Sequence, residues 1–208
     1  MHEALAYDFD ELKPESTLVT LRWEKVAVPF RVAVDQQQTL QNVRAQFRDL
    51  PQYTESWNDA AQYCATNKTN LDEALKWADR SIKMEERFDN VTTKMSLLEG
   101  LNRPTEAAAA RSHAMELGNA QQLYFFARQL QQENKQPEAL DVFRLAAKRF
   151  PEHWLGHLAS ARLHSAAGDF PNAIKEVKAA QAGDINPQQK QNVENLLHRL
   201  EAKQDINR

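Results

Sequence analysis

Cysteine, glycine and long apolar runs are all scarce in this sequence of 208 residues. The single cysteine, Cys64, excludes an internal disulfide. No apolar run approaches the roughly 20 residues that a membrane-spanning helix needs, so the sequence predicts no membrane segment. The N-terminus has no basic region followed by an apolar stretch, and we therefore expect no signal peptide in this chain.

Positive charge is not in excess either. The formal net charge is -3, whereas a general nucleic-acid binder needs a concentrated basic surface. The sequence therefore predicts no nucleic-acid partner. With only five glycines and 42% hydrophobic residues, it favours a folded chain that is richer in helix than in sheet.

Recognisable catalytic patterns are missing as well. The sequence contains no glycine-rich phosphate loop, and it supports no paired-carboxylate cleft or Ser-His-Asp arrangement. Cys64 lies among apolar positions with no histidine or aspartate arranged beside it, which predicts a buried, inert thiol. We therefore expect a protein that is not an enzyme and carries no cofactor.

Residues 1–35 alternate between apolar and polar side chains, which is typical of β-strands. Glu24-Lys25 predicts a hairpin turn, and Pro29 predicts an edge strand because proline cannot donate to a ladder. Two or three strands are not stable alone. They must pack on helices, pair with another chain as a homo-oligomer through their edges, or end a β domain.

Helical patterning begins after these strands. Residues 36–52 predict a short polar linker, Gln36-Gln37-Gln38, and a connecting helix that Thr39 caps and Pro51 ends. Residues 53–185 then contain four units, each with an alanine at the start of its second helix. The steps between these alanines are 33 (74 to 107), 32 (107 to 139) and 34 (139 to 173) residues. Small residues also recur where paired helices would cross, which lets their axes approach closely. These positions are Ala61, Ala127 and Ala161 in the first helices, and Ser81, Ala114, Ala146 and Ala180 in the second.

The spacing and these residues resemble tetratricopeptide (TPR) repeats. The resemblance implies a mainly α fold, a TPR-like right-handed α-solenoid of antiparallel hairpins, following the short β segment. Met95 departs from the pattern by replacing a small crossing residue. Asn186 and Pro187 begin a final capping helix over residues 186–208, as a solenoid end requires.

The N-terminal strands carry a second resemblance. Tyr7 to Ser16 and Leu21 to Phe30 look like the end of an uncharacterised β-domain family of exported proteins in Bacteroidota-type bacteria, which often precedes helical repeats. This resemblance implies a truncated chain and a periplasmic or exported location. An ordinary small β appendage is the alternative.

The repeats predict where a partner would bind. TPR-like proteins commonly hold extended peptides or helices in a concave groove lined by their first helices. In this chain the predicted groove residues are Asn58, Thr92, Tyr124, Arg128, Gln131 and Arg162, together with Gln62 and Ser96. Arg128 and Arg162 occupy equivalent positions, where each guanidinium could hold a carboxylate. The alternative is that both arginines pair with neighbouring helices and support the stack.

Two further sets of residues have structural and functional interpretations. His153, His157 and His164 share a helix region and could form a metal site, or they are simply surface histidines. Trp57, Trp77 and Trp154 lie at helical spacing among small residues, which predicts core packing.

The sequence therefore predicts a non-enzymatic interaction scaffold. Its partner would be a protein or peptide, or the chain's own upstream domain, held in the concave groove. In the alternative hypothesis, these helices are the assembly and stability half of a larger exported protein, whose enzymatic or ligand-binding site lies in a β domain.

Overall fold

The computed structural model of the protein describes residues 4–13, 15–49 and 54–207. Three strands, β1 (Ala6–Lys13), β2 (Ser16–Trp23) and β3 (Val26–Ala33), form an antiparallel sheet in the order β1-β2-β3. Glu24 and Lys25 make the tight turn between β2 and β3, as predicted. Pro29 lies on β3, where it pairs with Thr20 of β2. Because β3 is an edge strand of this sheet, the prediction for Pro29 is confirmed.

One face of this sheet is apolar and open. The register stacks Phe9, Val19 and Phe30 across the three strands. Phe9 is 61% exposed and Trp23 is 58% exposed. The opposite face carries ion pairs, such as that between Arg31 Nη2 and Glu11 Oε2 at 2.6 Å. Among the described residues, the strands do not bury this face against the helices. Packing on the helices, the first of the three predicted possibilities, is therefore not observed.

The connecting helix α1 spans Gln36–Asp49 and begins three residues earlier than Thr39. Asp35 sets this start, because its carboxylate accepts a hydrogen bond from the Gln37 amide at 2.8 Å. The three glutamines are thus the first turn of a helix and do not form a linker. Pro51, the predicted helix stop, lies outside the described residues.

From residue 54 to residue 207, eight helices form four antiparallel hairpins, and a ninth covers the last of them. The hairpins are α2 (Thr54–Asn67) with α3 (Leu71–Met84), α4 (Phe88–Gly100) with α5 (Pro104–Leu117), α6 (Ala120–Gln132) with α7 (Gln136–Arg149), and α8 (Trp154–Ala166) with α9 (Phe170–Gln181). The covering helix is α10 (Pro187–Glu201), which packs on α9. The fold is a TPR-like solenoid with an N-terminal three-stranded sheet.

The predicted crossing residues are all buried. The three alanines in the first helices and Ser81, Ala114, Ala146 and Ala180 in the second lie in the core, as does Met95. The second hairpin therefore forms although its crossing residue is large. Gly168 takes the left-handed conformation, with φ of 73°, in the turn between α8 and α9.

Trp57 and Trp77 pack in a core formed mainly by α1, α2 and α3, the first core of the protein. Phe47 stacks on the Trp57 ring with centroids 3.7 Å apart. The core prediction for Trp57 and Trp77 is confirmed, while Trp154 is only half-buried. None of the helices in the described ranges is long and apolar enough to cross a membrane.

The C-terminal segment does not end with α10. The Asn186 side chain caps this helix by accepting from the Gln189 amide at 2.9 Å, as predicted. After Glu201 the chain reverses through Lys203, which has φ of 55°. It then returns to the helical hairpins, where Ile206 is 1% exposed. Within the described residues, 186–207 are therefore a capping helix followed by a docked tail.

Candidate functional site

The first helices of the hairpins form the inner wall of the solenoid. Helix α2 contacts α4, and α6 contacts α8, more extensively than any two second helices contact each other among the described residues. A stack of hairpins whose first helices are closer together curves toward that side. These contacts place α2 with α4, and α6 with α8, on the inner side of the stack, which is the side predicted for the first helices.

A polar cleft of about 290 Å³ lies on this wall between α2, α4 and α6. It brings together Gln62, Thr92 and Ser96, three of the predicted inner-wall side chains. The Thr92 hydroxyl donates to the Asp89 carbonyl at 2.9 Å, and the Ser96 hydroxyl donates to the Thr92 carbonyl at 3.2 Å. Each hydroxyl has thus used its donor on its own helix, and its oxygen can still accept from a ligand.

Asn58 lies one turn before Gln62 on α2, but it is buried rather than open to the cleft. Its side-chain oxygen has no hydrogen-bond partner among the residues that the structure describes. A buried acceptor without a partner reduces stability. Asn58 therefore contributes to the interior of the first hairpin, and it does not line the cleft.

Arg162 lies on the inner wall but is only 4% exposed. Its Nε donates to the Tyr124 hydroxyl at 2.9 Å, and its Nη1 donates to the backbone carbonyl of Ile206. The guanidinium carbon also lies 5.6 Å from the centre of the Phe143 ring. The polar groups of Arg162 and Tyr124 therefore bind other parts of the chain. For Arg162 this resembles the alternative prediction, in which the arginine supports the stack of helices.

Arg128 and Gln131 remain at the surface of the wall. They line a second cleft of about 660 Å³, together with Leu140, Ala166 and the tail residues Asp205 and Asn207 among others. Arg128 Nη1 donates to Gln131 Oε1. Within the described ranges, no carboxylate oxygen lies close enough to a guanidinium nitrogen of Arg128 to form an ion pair.

The charge around Arg128 is unbalanced. Partial burial and the nearby positive charges of Arg162 and Arg199 lower the pKa of the Arg128 guanidinium from its ordinary value. Burial is the largest cause of this shift, and no carboxylate among the described residues counters it. A carboxylate at this position would balance the positive charge and accept from the guanidinium.

The tail between α6 and α8 was not predicted from the sequence. Asp205, Ile206 and Asn207 lie against Ser165, Arg162 and Gln131 on the inner wall. The one signal in the sequence is an isolated apolar residue, Ile206, after the polar-backed final helix. A single apolar residue has no periodicity, so it predicts neither a helix nor a docking position.

The three clustered histidines do not converge. His157 Nδ1 is 2.8 Å from Glu176 Oε2, and His164 Nδ1 is 3.2 Å from Asp169 Oδ2. The His153 ring accepts from the Leu155 amide as the cap of α8. In the described part of the chain no group of three His, Cys, Asp or Glu side chains is arranged to hold a metal ion.

Cys64 is fully buried in the first core. Burial is the main cause that raises the pKa of its thiol to about 11. A thiol with so high a pKa forms little thiolate at neutral pH, so Cys64 is a poor nucleophile. This agrees with the interpretation of Cys64 as an inert core residue.

The fold is similar to that in the crystal structure of YrrB, described as a TPR protein with an unusual peptide-binding site. The two share 13% sequence identity, and the match covers 74% of this chain and 97% of YrrB with a TM-score of 0.34. No protein-family model matches the chain, and no curated protein matches it. The N-terminal likeness to an exported β-domain family therefore stays a prediction.

Proposed function

We propose that this protein is a non-enzymatic interaction scaffold that holds a segment of a partner protein along its inner wall. The observation that carries the proposal is the state of Arg128, a partly buried cation without an acidic partner among the described residues, at the edge of a cleft of about 660 Å³. The polar cleft at Thr92 lies on the same wall. The partner segment would be extended, and it would place a carboxylate on Arg128.

The physical basis is the cost of desolvating a charge. The partly buried guanidinium of Arg128 has lost hydration, which the hydrogen bond to Gln131 replaces only in part, so a ligand carboxylate should gain more here than at an exposed lysine or arginine. Gln131, which accepts from Arg128, also donates to the tail, so it holds the guanidinium at a fixed place on the wall. Recognition would then be bidentate, with the polar side chains of the Thr92 cleft binding backbone groups of the same segment.

Charge reversal at Arg128 tests this proposal. Phage-displayed random peptides are selected on the protein, and the affinities of the enriched peptides are measured on Arg128→Glu. We expect acidic peptides to be enriched and their affinity to fall by at least about tenfold, because hydrogen bonds between charged groups contribute roughly 1.5–3 kcal/mol. The melting temperature should stay close to that of the unmodified protein.

Arg144→Glu is the matched control. Arg144 is an exposed arginine on α7, where it pairs with Asp141. The same peptides should bind this variant with unchanged affinity. A selection that enriches no peptide, or equal affinities for Arg128→Glu and Arg144→Glu, would contradict the proposal.

A second candidate function is favoured by the open sheet. The apolar face that carries Phe9, Trp23 and Phe30 lacks a covering layer among the described residues, whereas stable sheets bury such a face. We infer that these helices could serve as the assembly half of a larger protein whose β layer covers this face. The other predicted possibility for these strands is that the edges of β1 or β3 pair between copies of the chain.

Accessibility of Trp23 distinguishes the second candidate. If a segment encoded upstream in the same reading frame covers the sheet, expressing it with this chain should protect Trp23 from iodide quenching. Trp57 and Trp77 are buried and serve as internal references. Unchanged quenching of Trp23 in the longer product would exclude this role for the sheet.

A further inference from the structure

The tail segment Asp205–Asn207 is held on the inner wall as a ligand would be. Helix α10 leads into it through Lys203 and Gln204, whose amides donate to carbonyls of the last turn at 2.9 and 2.8 Å. The chain then crosses α8 and ends its described course at α6. Two hairpins thus bind one short, non-helical segment.

The first position of this segment is an acid. Asp205 Oδ1 accepts from the Ser165 hydroxyl at 2.7 Å and from the Asn207 amide at 3.1 Å. The Asp205 backbone carbonyl accepts from Arg199 Nη2 at 2.6 Å. This position therefore requires a carboxylate or another short acceptor beside the Ser165 hydroxyl.

The second position is apolar, and both its backbone amide and its backbone carbonyl form hydrogen bonds with the inner wall. The Ile206 side chain is almost fully buried. Its amide donates to Ser165 Oγ at 3.0 Å, and its carbonyl accepts from Arg162 Nη1. Main-chain hydrogen bonds of this kind bind any residue of suitable size, and the buried pocket selects an apolar one.

The third position selects a carboxamide. Asn207 Oδ1 accepts from Gln131 Nε2 at 2.9 Å, while Asn207 Nδ2 donates to the Arg162 carbonyl at 2.9 Å. An aspartate here would place a carboxylate oxygen against that carbonyl and lose the donor. The position therefore discriminates asparagine from its acidic analogue.

We propose that the inner wall of the third and fourth hairpins is a binding site for segments of the pattern acid, apolar residue, asparagine, and that the tail is its resident ligand. This inference rests on the proposed scaffold function and names the chemistry of the partner. A partner with the same pattern displaces the tail. The open cleft beside Asp205, Asn207 and Arg128 is where the incoming segment first makes contact.

Competition by the tail sets the apparent affinity of the inner-wall site for a free peptide. A segment tethered by a short linker competes at an effective concentration on the order of millimolar. The intact protein should therefore bind a free peptide of this pattern weakly. Releasing the tail should increase that affinity by at least about tenfold, because the fraction of open sites limits apparent affinity.

Fluorescence anisotropy with a labelled synthetic peptide tests the inference. The probe has the sequence of residues 201–208, EAKQDINR. It is titrated into the unmodified full-length protein and into two variants that release the tail, Ile206→Asp and Asn207→Ala. Gln204→Ala is the matched control. The Gln204 side chain is exposed, and the substitution retains the hydrogen bond from the residue 204 backbone amide to the Arg199 carbonyl.

We expect both release variants to bind the probe at least about tenfold more tightly than the unmodified protein and the control. A probe with alanine or aspartate in place of asparagine should not bind. Equal affinities for all four proteins, or no binding to a release variant that still melts cooperatively, would overturn the inference. If acidic peptides still bind through Arg128 in that case, the scaffold function survives and only the tail pattern is wrong.

A measurement on the unmodified protein tests the inference even if the release variants fail to fold. Unlabelled probe peptide at millimolar concentration is added, and hydrogen exchange of the Ile206 amide is followed. Displacement of the tail would free this amide from Ser165 and accelerate its exchange. Exchange that is unchanged by the peptide would overturn the inference.

Discussion

Replacement of Phe143 by alanine is expected to lower the free energy of unfolding by about 3–5 kcal/mol. The Phe143 ring is fully buried on α7, and its centroid lies 5.5 Å from that of Tyr124. It also lies under the guanidinium of Arg162. The substitution removes the buried ring, leaves a cavity, and takes away the surface that positions both groups on the inner wall. Urea unfolding followed by circular dichroism measures the change.

Phe125→Ala provides the comparison for this prediction. Phe125 also contacts Tyr124, at 5.7 Å and nearly perpendicular, but its side chain is 55% exposed. We expect a loss below about 1 kcal/mol, because an exposed ring has little buried surface to lose. Equal losses for the two variants would show that the third hairpin does not pack around Phe143 as described.

The hairpins were predictable because close helix packing leaves a trace in the sequence. Helix axes approach only where side chains are small, so the alanines recur at the period of the structural unit. Ala74 and Ala139, for example, are both fully buried at equivalent places. Caps are similarly local. Asn186 was predictable from its residue type directly before Pro187, and in the structure its amide donates to the side chain of Gln189, three residues away.

The start of α1 shows the limit of such local signals. Thr39 is a good helix cap by residue type, but the helix begins earlier, where Asp35 accepts from the Gln37 amide. Both residues are compatible with capping, and the geometry of the preceding strand decides between them. The Val34 amide donates to the Glu15 carbonyl at 2.8 Å, which fixes the chain direction just before Asp35.

The candidate site could be predicted only in part. The resemblance to TPR repeats, aligned on the crossing alanines, predicts Thr92, Arg128 and Arg162 on the inner wall, and the structure places all three there. Exposure, however, depends on which other segments reach that wall. Arg162 is buried because a tail with one apolar residue, Ile206, returns to it after a turn at Lys203. No periodic pattern marks such a contact, since it joins residues 44 positions apart.

Gly156→Ala is expected to lower the free energy of unfolding by about 3 kcal/mol or more, although alanine favours helix over glycine by roughly 1 kcal/mol. A Cβ at Gly156 would lie 1.8 Å from the Phe150 carbonyl oxygen, a backbone atom. This oxygen cannot easily move, because it accepts from the His153 amide at 3.1 Å. Helix α8 would therefore have to shift away from the end of α7.

Gly168→Ala separates this clash from the general effect of replacing a glycine. Gly168 has φ of 73° and no atom within 4 Å of an added Cβ, so only the left-handed backbone, at about 1–2 kcal/mol, disfavours alanine. A shift of α8 at Gly156 also moves Arg162 and Ser165, which hold the tail. Gly156→Ala should therefore accelerate hydrogen exchange of the Ile206 amide under conditions where Gly168→Ala does not. Equal thermal stability of the two variants would mean that α8 tolerates displacement and that the fourth hairpin does not position the tail rigidly.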